Sequence, residues 1–270
     1  MEPDNTKQKG TVINMSIKIL SIGNSFSADS FQWLPDILKS AGEKSATVAY
    51  LYIGGCSIER HYNNISEPTT DYTYFKHTGE SWEATPESTL LHGIKDEPWD
   101  IILFQQASHF SGKPITYSHL NELIAFVDEN KTNPDVRYGF NMTWAYQANS
   151  SHANFRDYGS NQIIMYRAIC ATVKAVICPN SSIYKVFPTG TVIQNLRQGC
   201  IGDRLTRDGF HLSLHEGRYA AALNIAYHLG YPIDNITFIP EEAYFTEKYI
   251  TEMKTAIKNA AIVPFEITGI

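Results

Sequence analysis

Short apolar runs alternate along the chain with longer stretches whose apolar residues recur every three or four positions. IKILSI (17–22), ATVAYLYI (46–53), WDIILF (99–104), VRYGFNMTW (136–144) and SIYKVFP (182–188) are dense in Ile, Val, Tyr and Phe. Several are apolar at consecutive positions, as strands covered on both faces are, and all five are predicted strands. Between them the spacing predicts helices. LPDILKSA (34–41) places Pro35 in a first turn and Gly42 where a helix stops. SHLNELIAFVDEN (118–130) puts Leu120, Leu123, Ile124 and Val127 on one face, with Ser118 as its cap. Further helices are expected over 160–176, 213–229 and 241–260, and Ser213 with Glu216 fits a capping box that starts the helix at Ser213. This alternation implies an α/β fold in which a parallel sheet of about five strands lies between two helix layers.

No internal repeat or low-complexity linker interrupts the 270 residues. One domain is expected over 16–270, behind a polar tail at 1–15. Residues 54–98, with Gly, Pro, Thr and several aromatics, read as an irregular insertion beside the ligand-binding edge of the sheet.

Charge narrows the classes of partner. The chain carries 22 Lys and Arg against 28 Asp and Glu, a net charge of −6. It has no basic block to track phosphates, which argues against nucleic acid. No apolar run approaches the roughly 18 residues of a membrane span. The start, MEPDNTKQKGTVINMS, lacks the apolar core of a signal peptide. The expected compartment is the cytoplasm, or the periplasm or exterior if a leader has been removed. Cys56, Cys170, Cys178 and Cys200 form no CxxC pair and are expected to be buried thiols or to form at most one disulfide. His211 and His215 have the i, i+4 spacing of a metal pair, but the capping box sets His211 ahead of the helix. Neither a metal nor a cofactor is expected.

In a parallel sheet of this kind ligands sit beyond the carboxyl ends of the strands. The loops there hold Gly23-Asn24-Ser25, Gly54-Gly55, Gln105-Gln106 and, before the fourth predicted helix, RDGFHLS with Asp208 and His211. A serine hydroxyl is a weak nucleophile that needs a base within hydrogen-bond reach. His211 can be that base for Ser25, and Asp208, three residues earlier in a Gly-containing loop, can hold its other ring nitrogen. The backbone N–H groups of Ser25 and Gly55 and the side-chain amide of Gln106 are the candidate oxyanion donors. Asn24 and Gln105 beside the turn, Trp144 and Tyr146 after the fourth strand, and Asn195 with Thr191 after the fifth are candidate substrate contacts. His109, after the third strand, is a candidate for the cleft wall.

On these residues the chain resembles the SGNH (GDSL-like) hydrolase superfamily. IGNSFS matches its strand–Gly-x-Ser block, although Gly-Asn-Ser-Phe-Ser stands where Gly-Asp-Ser-Leu is usual. Asp208-Gly-Phe-His211 matches its Asp-x-x-His block. The resemblance implies a flavodoxin-like three-layer α/β/α sandwich, Ser25 as nucleophile, His211 as base, Asp208 as its partner and Gly55 as the second-block glycine. The third block departs from the pattern, with Phe-Gln-Gln-Ala-Ser where Gly-x-Asn-Asp is usual. It is similar there to the sialate O-acetylesterase branch, whose Gln occupies that place. Counting from Asp100 puts Gln106 there rather than Gln105. The implied function is a serine esterase removing a small acyl group, acetyl above all, from a carbohydrate or similar polar ester. A non-catalytic glycan- or ligand-binding protein and a lipid or thioester hydrolase are the competing readings. The chain as a whole resembles a little-characterised bacterial branch of the superfamily.

Overall fold

The computed structural model describes residues 16–270, and the polar tail expected at 1–15 lies outside the described residues. The five expected strands are present as β1 (Lys18–Gly23), β2 (Thr47–Tyr52), β5 (Ile101–Phe104), β6 (Arg137–Asn141) and β7 (Ile183–Phe187). They are parallel and lie in the order β2-β1-β5-β6-β7. Numbered among themselves this is 2-1-3-4-5, the flavodoxin-like order, in which the crevice beside the first strand is the ligand-binding place. The central strands are apolar runs because helices cover both faces; Ile19, Leu20, Val48, Ile102 and Leu103 are fully buried.

The sheet is larger and less uniform than the sequence suggests. It has seven strands among the described residues, and the two additional ones come from the segment read as irregular. Within 54–98 lie α3 (Ile58–Ser66), β3 (Tyr72–His77), β4 (Trp82–Ser88) and α4 (Leu90–Lys95). β3 pairs antiparallel with β2 and β4 with β3, so the sheet is mixed. Tyr50 of β2 stacks on Phe75 of β3, with ring centroids 4.8 Å apart. β4 is an exposed edge whose sequence, WEATPES, carries two glutamates and a proline, features that discourage edge pairing.

The predicted helices appear, with shifted ends, as α2 (Leu34–Ser40), α5 (Leu120–Asn130), α6 (Gln162–Thr172), α8 (Glu216–His228) and α9 (Glu247–Ile262). Short helices α1 (Ser25–Phe31) and α7 (Thr189–Leu196) directly follow β1 and β7. α1, α2, α7 and α9 pack with α8 or with one another, while α3 and α4 pack with α5. The N-cap of α8 lies two residues beyond the expected Ser213. His215 is its N-cap, and Ser213 instead accepts from Gly217 N (2.9 Å) and donates to Glu216 (3.0 Å). Ser118 likewise makes no cap for α5. All four cysteines are free thiols, with Cys56 and Cys170 buried and Cys178 and Cys200 exposed. No helix among the described residues is long and apolar enough to cross a membrane.

Candidate active site

The turn that ends β1 is built around Gly23. A Cβ there would collide with the side chains of Ser27 and Gln105, so any larger residue would force both to give way. Asn24 then caps α1, its Oδ1 accepting from Phe26 N (3.0 Å). The same oxygen accepts from Gln105 Nε2 (2.9 Å), while Asn24 Nδ2 donates to the Cys56 carbonyl (2.9 Å). One buried amide thus ties together the ends of β1, β2 and β5. Ser25 follows, half-buried at the first position of α1.

The second part comes from residues 206–212. A bridge between Thr206 and Leu212 and a bond from Arg207 N to the His211 carbonyl (2.9 Å) close this segment into a narrow loop. Asp208 Oδ1 accepts from the amides of Phe210 (3.1 Å) and His211 (2.8 Å), an Asx turn that Gly209 permits through its φ of +90°. Asp208 Oδ2 lies 2.6 Å from His211 Nδ1, and His211 Nε2 lies 2.8 Å from Ser25 Oγ. The three residues expected to work together are in hydrogen-bond contact across more than 180 residues of sequence. Burial raises the Asp208 pKa, but the bonds from the His211 ring and from the two amides outweigh it. The carboxyl is held below its ordinary value.

Ser25 and His211 open on a cleft of about 310 Å³ whose wall includes Tyr52, Gly54, Gly55, Ser108, His109 and His152. Gly55 is exposed with φ +62°, and a Cβ there would meet nothing within 4 Å, so backbone conformation rather than space calls for glycine. Among the described residues, the amides of Ser25 and Gly55, both bordering the cleft, take no protein acceptor. His109, expected at this wall, is there. His152 was not singled out, although it lies in the loop after β6, and the strand-end rule could have found it. Its Nδ1 accepts from Asn154 N (3.2 Å). Burial and the neighbouring His211 lower its pKa.

Several other candidates serve the frame instead. Gln106 is fully buried and its side chain is fully engaged. Its Oε1 accepts from Ile58 N (3.0 Å) and Ala107 N (2.8 Å), and its Nε2 donates to the Thr116 carbonyl (2.8 Å) and hydroxyl (3.2 Å). It has no free donor for an oxyanion. Gln105 and Asn24 spend their amides on each other and on Cys56, although Asn24 still borders the cleft. Trp144 is buried beneath the site, stacked on Phe26 at 4.1 Å and donating from Nε1 to the Phe210 carbonyl (2.7 Å). Tyr146 is buried too, its hydroxyl 2.8 Å from Ser108 Oγ. Asn195 is buried and holds the C-terminal segment through Thr268, while Thr191 bonds the Pro264 carbonyl. Cys56, inside the second loop, is no nucleophile, since burial pushes its thiol up to about 12. A larger cavity of about 590 Å³ lies beside β7, lined by Cys178, Lys185, Tyr227 and His228 among others. It brings no hydroxyl or thiol into contact with a base, so chemistry rather than volume favours the smaller cleft.

No curated protein matches the sequence at a significant level. A crystal structure of a DUF4886 family protein from Bacteroides uniformis ATCC 8492 is 35% identical, covering 95% of this chain and 98% of that one, with a TM-score of 0.89. A protein from Slackia heliotrinireducens, described provisionally as an SGNH hydrolase, is 19% identical over 80% of this chain and 100% of its own, with a TM-score of 0.48. An acetylxylan esterase from Geobacillus stearothermophilus, in a catalytic mutant, is 8% identical over 82% of this chain and 98% of its own, with a TM-score of 0.49. At those values neither of these two bears on the chemistry of this chain. The model of the domain of unknown function DUF4886 matches residues 18–261, and the chain belongs to that family.

Proposed function

We propose that the protein is a serine esterase that removes a small acyl group from a polar ester, with Ser25, His211 and Asp208 as its catalytic residues. The observation that carries this reading is the continuous relay from Ser25 Oγ through His211 to Asp208 at the mouth of the cleft. Neutral His211 accepts the Ser25 proton at Nε2 as Oγ attacks the ester carbonyl. Asp208 keeps the other ring proton on Nδ1 and stabilises the imidazolium that forms. The carbonyl π pair moves onto oxygen, where the Ser25 and Gly55 amides meet the developing charge. Collapse of this intermediate breaks the bond to the alcohol, which leaves with the proton from His211. Water then attacks the acyl-serine by the same route, releasing the acid and restoring Ser25.

The cleft supports a small and polar substrate. A volume of about 310 Å³ lies at the low end of small-molecule sites, and its wall carries Ser108, His109, His152 and Asn154. That is poor accommodation for a long acyl chain and suits acetyl on a hydroxylated alcohol such as a sugar. The resemblance of the IGNSFS and DGFH blocks to the SGNH superfamily points the same way. The test is 4-nitrophenyl acetate hydrolysis by wild type and Ser25→Ala, followed by acetylated oligosaccharides. Ser25-dependent turnover is expected, and a wild-type rate no higher than that of the alanine variant refutes the proposal.

A further inference from the structure

Asp29 lies one helical turn beyond Ser25 on α1, and its carboxylate is fully buried. A buried carboxylate is costly unless it is paired and hydrogen-bonded. Asp29 is paired generously, and two of its three partners belong to the loop that carries the base. Its Oδ2 accepts from the amide of Leu212, the residue after His211 (2.8 Å). Its Oδ1 accepts from Arg207 Nη1 (2.9 Å), at the start of that loop, and from Arg218 Nε of α8 (2.8 Å). Arg207 also donates to the Leu212 carbonyl, and Arg218 reaches Gln32 Oε1 (3.4 Å) just past α1. Both ends of the 207–212 loop are therefore fastened to the helix that presents Ser25.

The Asp208–His211 pair is internal to this loop, whereas the His211–Ser25 bond joins the loop to α1. On the reading of the site proposed above, we infer that Asp29 is a positioning residue that sets the distance between nucleophile and base. Freed from Asp29, the loop keeps its own Asx turn and its Asp–His bond while His211 drifts from Ser25. A misplacement of about 1 Å costs a rate of the order of 100-fold without changing how substrate is held.

The test compares wild type with Asp29→Asn and Arg207→Lys. Steady-state kinetics on 4-nitrophenyl acetate, thermal unfolding and hydrogen exchange at the amides of 207–212 are the readouts. Asp29→Asn is expected to lower kcat about 100-fold with KM nearly unchanged. The loop amides are expected to exchange faster than in wild type. Arg207→Lys keeps a cation but loses the guanidinium fork, and a fall of about tenfold in kcat is expected. A variant folded at the assay temperature, with kcat and loop exchange like those of wild type, overturns the inference. So does a lowered Tm with unaltered kcat in Asp29→Asn. If Asp29→Asn does not fold, Arg207→Lys decides on the same criteria. Wild type without Ser25-dependent turnover would instead refute the esterase reading, and the exchange rates would still report whether Asp29 holds the loop.

Discussion

Replacing Asp208 by Asn separates the orienting role of the carboxylate from its role in shaping the loop. The asparagine oxygen can still accept from the amides of Phe210 and His211, which in the native site lie 3.1 and 2.8 Å from Asp208 Oδ1. Its NH₂ then faces His211 Nδ1, which the native carboxylate approaches to 2.6 Å. A ring nitrogen facing a donor must accept, so the proton moves to Nε2, which can no longer take the Ser25 proton. Such a tautomer error costs about 10⁴ in kcat, or about 5.5 kcal/mol of transition-state stabilisation. Stability should hardly change. The Asp208 side chain is 41% exposed, and a solvent-screened pair of this kind contributes less than about 1 kcal/mol. The folded carboxyl titrates below its ordinary 3.8, so its stabilising contribution is complete above that value and is lost as pH falls through the lower folded value. The part of the Tm difference that this carboxyl causes should therefore be small near neutral pH and disappear as pH is taken from about 7 down through the lowered folded value. The assay is 4-nitrophenyl acetate hydrolysis beside thermal unfolding across that range. A folded Asp208→Asn protein within about threefold of wild-type kcat would refute the role given to the carboxylate.

Three further substitutions test the rest of the site. Gly55→Ala forces a side chain into the left-handed backbone region and turns the amide away from the cleft; kcat should fall by about 10² or more while Tm drops only slightly, and unchanged kcat would remove Gly55 from the oxyanion site. Gln106→Ala strands the Ile58 and Ala107 amides and should cost about 2–4 kcal/mol in urea unfolding, while the folded fraction turns over normally. A large kcat loss at full stability would restore the side chain to catalysis. Trp144→Phe keeps the stack on Phe26 but loses the bond to the Phe210 carbonyl, and should cost about 1 kcal/mol of stability with a modest loss of kcat. Unchanged stability would show that the bond contributes nothing.

What could be read in the sequence follows the range of the interactions involved. Strands buried on both faces leave continuous apolar runs, so all five parallel strands were legible. β4 was not, because WEATPES has no strand signature, whereas YTYFKH of β3 does carry the aromatic and β-branched residues of a strand within the segment read as irregular. SFSADSF lacks apolar helical periodicity, so α1 was not expected, and the Asn24 cap is its local sequence signal. The Asp208–His211 contact is local and could be inferred from spacing. Its meeting with Ser25 followed from the strand-end rule. Spacing gives position along a chain and not direction, however. Gln106 occupies the expected place with its side chain turned toward Ile58 and Thr116. Trp144 and Tyr146 follow a strand end yet face the interior, and Asn195 lies at the far end of α7 against the C-terminal segment. Asp29 carried a faint signal, a carboxylate four residues after Ser25. Its arginine partners lie about 180 and 190 positions away, and only the fold brings them near.

The central claim is that Ser25 is a nucleophile activated by His211. Reaction of the protein with a fluorophosphonate, followed by peptide mapping, tests it most directly because no knowledge of the natural substrate is needed. One phosphonyl group on Ser25, abolished by Ser25→Ala and strongly slowed by His211→Ala, is the predicted result. Labelling at another residue, or none in folded protein, would contradict the account.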